Sequence, residues 1–465
     1  MIRSLSFKKT CLAIGVIQAL SISPNFAATL VVDSVGESDS LCSLRNALDS
    51  INTSQNIGGC NAVGVFGVDD VVTFAVSQVS GLETELLISN DVFINPGGSP
   101  VLISANPNTN NRVLAIRNAS VEIDNVTITG GRAGLSDGGG IDARNSQLSL
   151  INVDLIDNTA DGDGGGLFLR DSQGFIDNSR ITNNSADDGG GINSRDSNLT
   201  ISNSVISSNR TESSRTGGDD GGGLYLRSGI VSIRNSTISG NNAEDEGGGI
   251  FVRQSTFTLS NSTVSGNNVG DDGGGINVDF QANASIIHST FSNNSSGRIG
   301  GGISVSSGSL NLSNSLVAGN RAEGVISASE IRSSVVGTLN FRGTNLVGDD
   351  SKTLAQATDA SPLPSSVILA TSDSSQAASL ASIINPLGFN DGATQTHALV
   401  EGSPAIDVAN TAICDSSPIN LRDQRRLLRT EQCDLGAFEL GATEAIVPAA
   451  AIIPPILFLL LKGEG

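Results

Sequence analysis

The residues best suited to chemistry recur in rows. Acid pairs stand at Asp187-Asp188, Asp219-Asp220 and Asp271-Asp272, each directly before three glycines. Two carboxylates can act as general acid and base in glycoside cleavage, or hold Ca²⁺ beside a basic group. Beyond each glycine run come Phe168, Asn193, Tyr225, Phe251 and Asn277, and two residues later Arg170, Arg195, Arg227 and Arg253, with Arg144 preceding them. An exposed aromatic can stack on a sugar ring while Arg bonds hydroxyls or a carboxylate. Phe168, Arg170, Arg195, Tyr225, Arg227, Phe251 and Arg253 are therefore the candidate binding strip. A simpler expectation competes with it: the Arg row stops just before the acid row does, at Ile299, and the two rows neutralise each other across the glycine turn. Catalysis needs one singular constellation, whereas these acids repeat, and Lys352 is the lone mid-chain lysine. No catalytic residue and no metal ligand is assigned. Asp161-Gly-Asp163-Gly-Gly resembles a calcium turn but lacks the nine-residue period of calcium β-rolls, which leaves weak Ca²⁺ binding along the acid edge as the only cofactor expectation.

The glycine runs begin at 138, 164, 189, 221, 247, 273 and 300, a spacing that marks a solenoid. After each run the chain alternates: Leu167 and Leu169 against Phe168 and Arg170, Ile250 and Val252 against Phe251 and Arg253. A period of two is a strand with one buried face. Asn198–Asn203 alternates again and Val205-Ile206 begins a third run. Three short strands and three turns in roughly 26 residues make one rung of a parallel β-helix, with about ten rungs over residues 65–350. Stacking at about 4.8 Å gives a rod about 50 Å long. A lone rung buries too little to offset its lost chain entropy, so the rungs must stabilise one another. A second marker keeps the same beat: Asn125, Asn152, Asn178, Asn203, Asn235, Asn261, His288 and Asn314. It reads as an inward ladder of stacked amides, with His288 as a substitute rung.

The ends are different. Residues 28–64 form a cap in which Asp39 or Ser40 starts a helix running to about Asn52, with Leu44, Leu48 and Ile51 on one face. Residues 1–27 have the basic start, apolar run and small-residue end of a secretory leader, cleaved after Ala27. Its removal leaves Cys42, Cys60, Cys414 and Cys433, an even count in two local pairs that favours two disulfides over a metal site. Residues 351–440 carry no period and form an irregular flank whose last part is closed by Cys414 and Cys433. Residues 441–465 are an apolar tail with three prolines, a marginal membrane span read as a surface attachment. With a net charge of −21, nucleic acid and anionic membrane surfaces are not expected partners; surface glycans or another cell are.

Three motifs carry a family likeness. Leu41-Cys-Ser-Leu-Arg-Asn-Ala-Leu48, with Val31-Val-Asp-Ser34 before it and Gly58-Gly-Cys60 after it, resembles the CSLREA domain of exported bacterial proteins, with Asn46 where that family usually has Glu. Ser403-Pro-Ala-Ile-Asp407, Asp423-Gln-Arg425 and Cys433–Glu439 resemble the choice-of-anchor module. Phe291-Ser-Asn-Asn294 followed by Gly300-Gly-Gly-Ile303 is similar to the repeats of chlamydial polymorphic outer membrane proteins. The resemblance implies a right-handed parallel β-helix at the bacterial cell surface or shed from it, with an adhesin-like or structural binding role. The chlamydial relatives end in a membrane barrel, for which residues beyond 350 leave no room. The competing class is a polysaccharide lyase or glycoside hydrolase of the same fold.

Overall fold

The computed structural model of the chain describes residues 26–38, 40–67, 69–212, 218–324 and 328–444. The expected leader up to residue 25 and the apolar tail from 445 lie outside the described residues. What is described is a right-handed parallel β-helix of about eleven turns, followed by a segment folded back along its side.

The coil has three long parallel faces of ten, twelve and twelve strands. The first holds the strands that follow the glycine runs, such as Ile141–Arg144, Leu167–Arg170 and Leu224–Arg227. The second holds Gln147–Ile151, Gln173–Asp177 and Asn198–Ser202, and the third Asp154–Ile156, Arg180–Thr182 and Val205–Ser207. The rungs stack in phase: Ile141, Leu167, Ile192, Leu224, Ile250, Ile276 and Ile303 are successive Cα partners and are fully buried. Like stacks on like, so one continuous aliphatic column replaces a globular core. A fourth sheet of six two-residue strands, from Ser185–Ala186 to Arg321–Ala322, was not expected.

The glycine run is the corner between the fourth and first sheets, and each glycine there has its own reason. At 164–166, Gly164 has φ +68°; a Cβ on Gly165 would stand 2.4 Å from the Ser185 carbonyl oxygen, and one on Gly166 2.8 Å from that of Gly191. No side chain fits where one rung's backbone lies this close to the next.

The amide ladder exists, six residues from where the sequence placed it. Asn158, Asn184, Asn209, Asn241, Asn267, Asn294 and Asn320 point inward and are buried. Asn241 Nδ2 donates to Asn267 Oδ1 at 2.9 Å and to the Ile206 carbonyl at 3.0 Å, while Asn267 Oδ1 also accepts from the Asn241 backbone N–H. The pattern repeats from Asn158 to Asn320. The expected set, Asn125, Asn152, Asn178, Asn203, Asn235, Asn261, His288 and Asn314, instead occupies a left-handed corner at φ 45–58°. Asn tolerates that backbone region, and some neighbours there do bond side chain to side chain, Asn178 Nδ2 to Asn152 Oδ1 and Asn235 Nδ2 to Asn203 Oδ1, but along the outside of the coil. Asn152 and Asn178 are exposed. Asn261, His288 and Asn314 are buried because the C-terminal segment lies over them: Asn261 Nδ2 donates to the Arg422 carbonyl at 2.8 Å, and His288 Nε2 lies 2.9 Å from Asn314 Nδ2.

Both ends of the inner stack are closed. The helix Leu44–Thr53 is capped by Ser43, not Asp39 or Ser40, and buries Leu44, Leu48 and Ile51. Its Asn52 takes up the free edge of the first face, donating to the Leu87 carbonyl and accepting from Ser89 N–H, both at 2.8 Å. At the far end Glu330 takes the ladder position. Its carboxylate accepts from Asn320 Nδ2 at 2.6 Å and lies 3.2 Å from Lys352 Nζ. The expected flank 351–440 is ordered. It adds the strand Val367–Leu369 to the third face, then runs back along that face, burying Leu316, Leu346, Ile383, Leu399, Leu435 and Phe438 together. Cys42–Cys60 ties the N-terminal cap and Cys414–Cys433 ties this returning segment.

Candidate functional site

The proposed strip on the first face is not an exposed platform. Phe168, Tyr225 and Phe251 point away from the coil interior, yet only 1, 4 and 1% of each is accessible. The glycine corner folds the acid row over them. A Cβ on Gly247 would stand 2.8 Å from Phe251 Cβ, so the corner lies directly on the strand's outer surface. The Arg row completes the cover. Arg144 and Arg195 guanidinium carbons lie 5.1 and 5.9 Å from the Phe168 ring centre, and Arg195 lies 5.7 Å from that of Tyr225. Tyr225 and Phe251 centroids are 5.4 Å apart. The aromatics are packing beneath a charged lid.

Neutralisation across the turn holds for two Arg positions. Arg144 reaches Asp137 at 2.8 Å and Asp142 at 2.9 Å, and Arg195 reaches Asp163 at 2.6 Å and Asp188 at 3.5 Å. Arg170 and Arg227 are exposed, while Arg253 lies 3.7 Å from the Phe280 ring centre. The acids outnumber their partners. Burial, with neighbouring carboxylates adding to it, pushes Asp220 up to about 8 and Glu246 and Asp163 to about 7; Arg195 opposes the shift at Asp163. Burial also raises Asp188 and Asp272. Among the described residues no group of three or more His, Cys, Asp or Glu side chains is arranged to hold a metal ion.

The open, structured surface lies one face over. A trough of about 660 Å³ follows the corner between first and second faces, lined by two rows: Asn118, Asn145, Asp171 and Asp196 at the turn, and Ser120, Gln147, Gln173 and Asn198 at the strand start. The turn row holds left-handed φ values of 50–54°, which project these side chains outward from successive rungs. Its floor is rigid. Ser146 and Ser172 backbone N–H groups donate to Ser172 Oγ at 3.1 Å and Ser197 Oγ at 3.0 Å. The strand-start row continues onto the second face beside Phe175, a ring 38% exposed between Ser149 and Thr200 of the adjoining rungs. Phe175 also borders a third depression, shared with the returning C-terminal segment. One strand, Gln173–Asp177, thus touches all three. Sequence reasoning passed over this face; the signal was the repeated amide or hydroxyl at 120, 147, 173 and 198, with outward aromatics at Phe93 and Phe175 in the neighbouring column.

These features define the class: a right-handed parallel β-helix protein with a continuous polar outer face. Residues 209–339 match the family described as right handed beta helix region. No curated protein matches the chain. Among solved structures the chain is similar to one titled "Crystal structure of pectate lyase Pel9A", at 14% identity over 88% of this chain and 96% of that one, with a TM-score of 0.44.

Proposed function

We propose that this protein is an exported, non-catalytic β-helix that recognises glycans along the trough and second face. The observation that carries the reading is the pair of stacked polar rows running beside the exposed Phe175 on a hydrogen-bonded floor. Amides and hydroxyls offer donors and acceptors at a rung spacing of about 4.8 Å. That spacing is of the order of a sugar residue's length, so an extended saccharide can repeat its contacts from rung to rung. The hydrogen-bonded floor fixes the backbone from which these side chains project, so the rows stay in register from rung to rung. Two disulfides support an exported setting, as do the leader-like residues before 28. The acid and Arg rows, by contrast, are engaged with each other at Arg144 and Arg195.

The test is binding of the mature chain to a panel of neutral and acidic polysaccharides by affinity electrophoresis. Retardation should grow with saccharide length, and the double variant Gln147→Ala, Gln173→Ala should lose it with an unchanged melting temperature. Absence of binding across the panel would overturn the reading. So would the appearance of unsaturated or new reducing ends, which would place the chain among the lyases or hydrolases.

A further inference from the structure

We propose that the third depression is an anion-selective sugar subsite, holding one acidic saccharide unit by its ring on Phe175 and by its carboxylate or sulfate on Arg234 and Arg426. The inference rests on the glycan-binding reading above and narrows the ligand class. The groove, of about 420 Å³, lies between the second face and the returning C-terminal segment. Three guanidinium groups line it, from Arg234 on the coil and from Arg422 and Arg426 on the segment. In a chain of net charge −21 this local excess of positive charge is unusual.

Three guanidinium groups stand against one carboxylate in the groove. Asp177 accepts from Ser202 Oγ at 2.6 Å and Asn203 Nδ2 at 2.7 Å, and so buttresses the wall. Arg422 is fixed by donating to the Arg426 carbonyl at 2.7 Å. Arg234 and Arg426 are both exposed, and neither forms an ion pair among the described residues. Guanidinium forks match the planar or tetrahedral oxygens of carboxylate and sulfate. Phe175 supplies the apolar surface against which the less polar side of a pyranose ring stacks. A free inorganic anion would use the arginines but have no need of the ring. A sugar acid uses both, and its neighbouring units then lie along the amide rows that Phe175 adjoins.

The experiment is calorimetric titration of the mature chain with four probes: an oligogalacturonide, its methyl ester, a sulfated oligosaccharide and inorganic sulfate. The acidic oligosaccharides should bind about tenfold or more tighter than the ester, and added salt should erode the difference. Arg234→Gln and Arg426→Gln should each abolish that preference without lowering the melting temperature. Phe175→Ala should weaken binding of every saccharide. Equal affinity for ester and acid, or inorganic sulfate binding as tightly as the sugars, would overturn the subsite while leaving glycan recognition standing. Gln147→Ala, Gln173→Ala should weaken acid and ester alike and leave their ratio unchanged; loss of the preference in that variant would overturn a separate anion subsite. If no saccharide binds at all, both readings fall.

Discussion

At the scale of single residues, two sets of asparagines with the same beat do different work. Asn235 and its equivalents hold left-handed corners, whereas Asn241 and its equivalents carry buried amide chains. Replacing Asn241 by Leu keeps the branched outline but takes one acceptor from Asn209 Nδ2 and the donor from the carbonyl of Ile206. It should cost about 1–3 kcal/mol, read as a lower denaturation midpoint. Asn152→Gly, which keeps the corner's backbone freedom, should change stability by less than about 0.5 kcal/mol. Equal losses in the two variants would return the ladder to the corner. The period of 26 was legible in the sequence; which of two Asn per rung faced inward was not. Alternation is lost at a left-handed corner, so parity cannot be carried across it. The same blindness touched Phe168, Tyr225 and Phe251. Alternation told correctly that they point out of the coil, but not that the glycine corner would fold back over them.

At the scale of elements, the ends of the stack show why certain solitary residues are there. Lys352, the lone mid-chain lysine, lies 3.2 Å from the buried Glu330 and 2.9 Å from Asp349. Burial pushes Glu330 up to about 7, a shift that Lys352 opposes. Lys352→Met removes the counter-charge from a carboxylate that closes the amide ladder. The expected loss is about 3 kcal/mol near pH 8, and less near pH 5 where Glu330 is protonated; a pH-independent loss would show that Lys352 acts by packing alone. The helical cap was legible from Leu44, Leu48 and Ile51, and the disulfides from an even cysteine count. The C-terminal return was not, because no repeat marks it. One trace existed: outward positions on the third face change from Asp154 and Arg180 to Thr237, Thr263 and Thr290 and then Leu316. These uncharged side chains are where the segment docks, for example Thr263 Oγ1 donating to Gln424 Oε1 at 2.7 Å.

At the scale of the whole molecule, the carboxyl row makes stability depend on pH. Asp163, Asp220 and Glu246 bind protons more readily folded than unfolded, so their charging opposes folding. The stability this confers is complete below about pH 4 and lost as pH rises through about 7–8. Burial holds His288 and His397 below the usual histidine range, which works the other way below about pH 6.5. The melting temperature should therefore fall from about pH 6.5 to about pH 9. Asp220→Asn should raise it at the alkaline end and flatten the slope; a parallel, unshifted profile would remove Asp220 from the account.

The returning segment has a mechanical consequence. A bare solenoid is held rung to rung, so a pull on its end peels one coil at a time. Here the segment is bonded to the rungs of Thr237, Thr263, Thr290 and Asn314, and packs on Leu346. It acts as a splint. Tension on the N-terminal rungs should give a sawtooth of single-coil releases. The splinted half should instead yield in one large rupture, because no coil can leave until the splint does. A rod built this way is extensible at its N-terminal half and stiff at its C-terminal half.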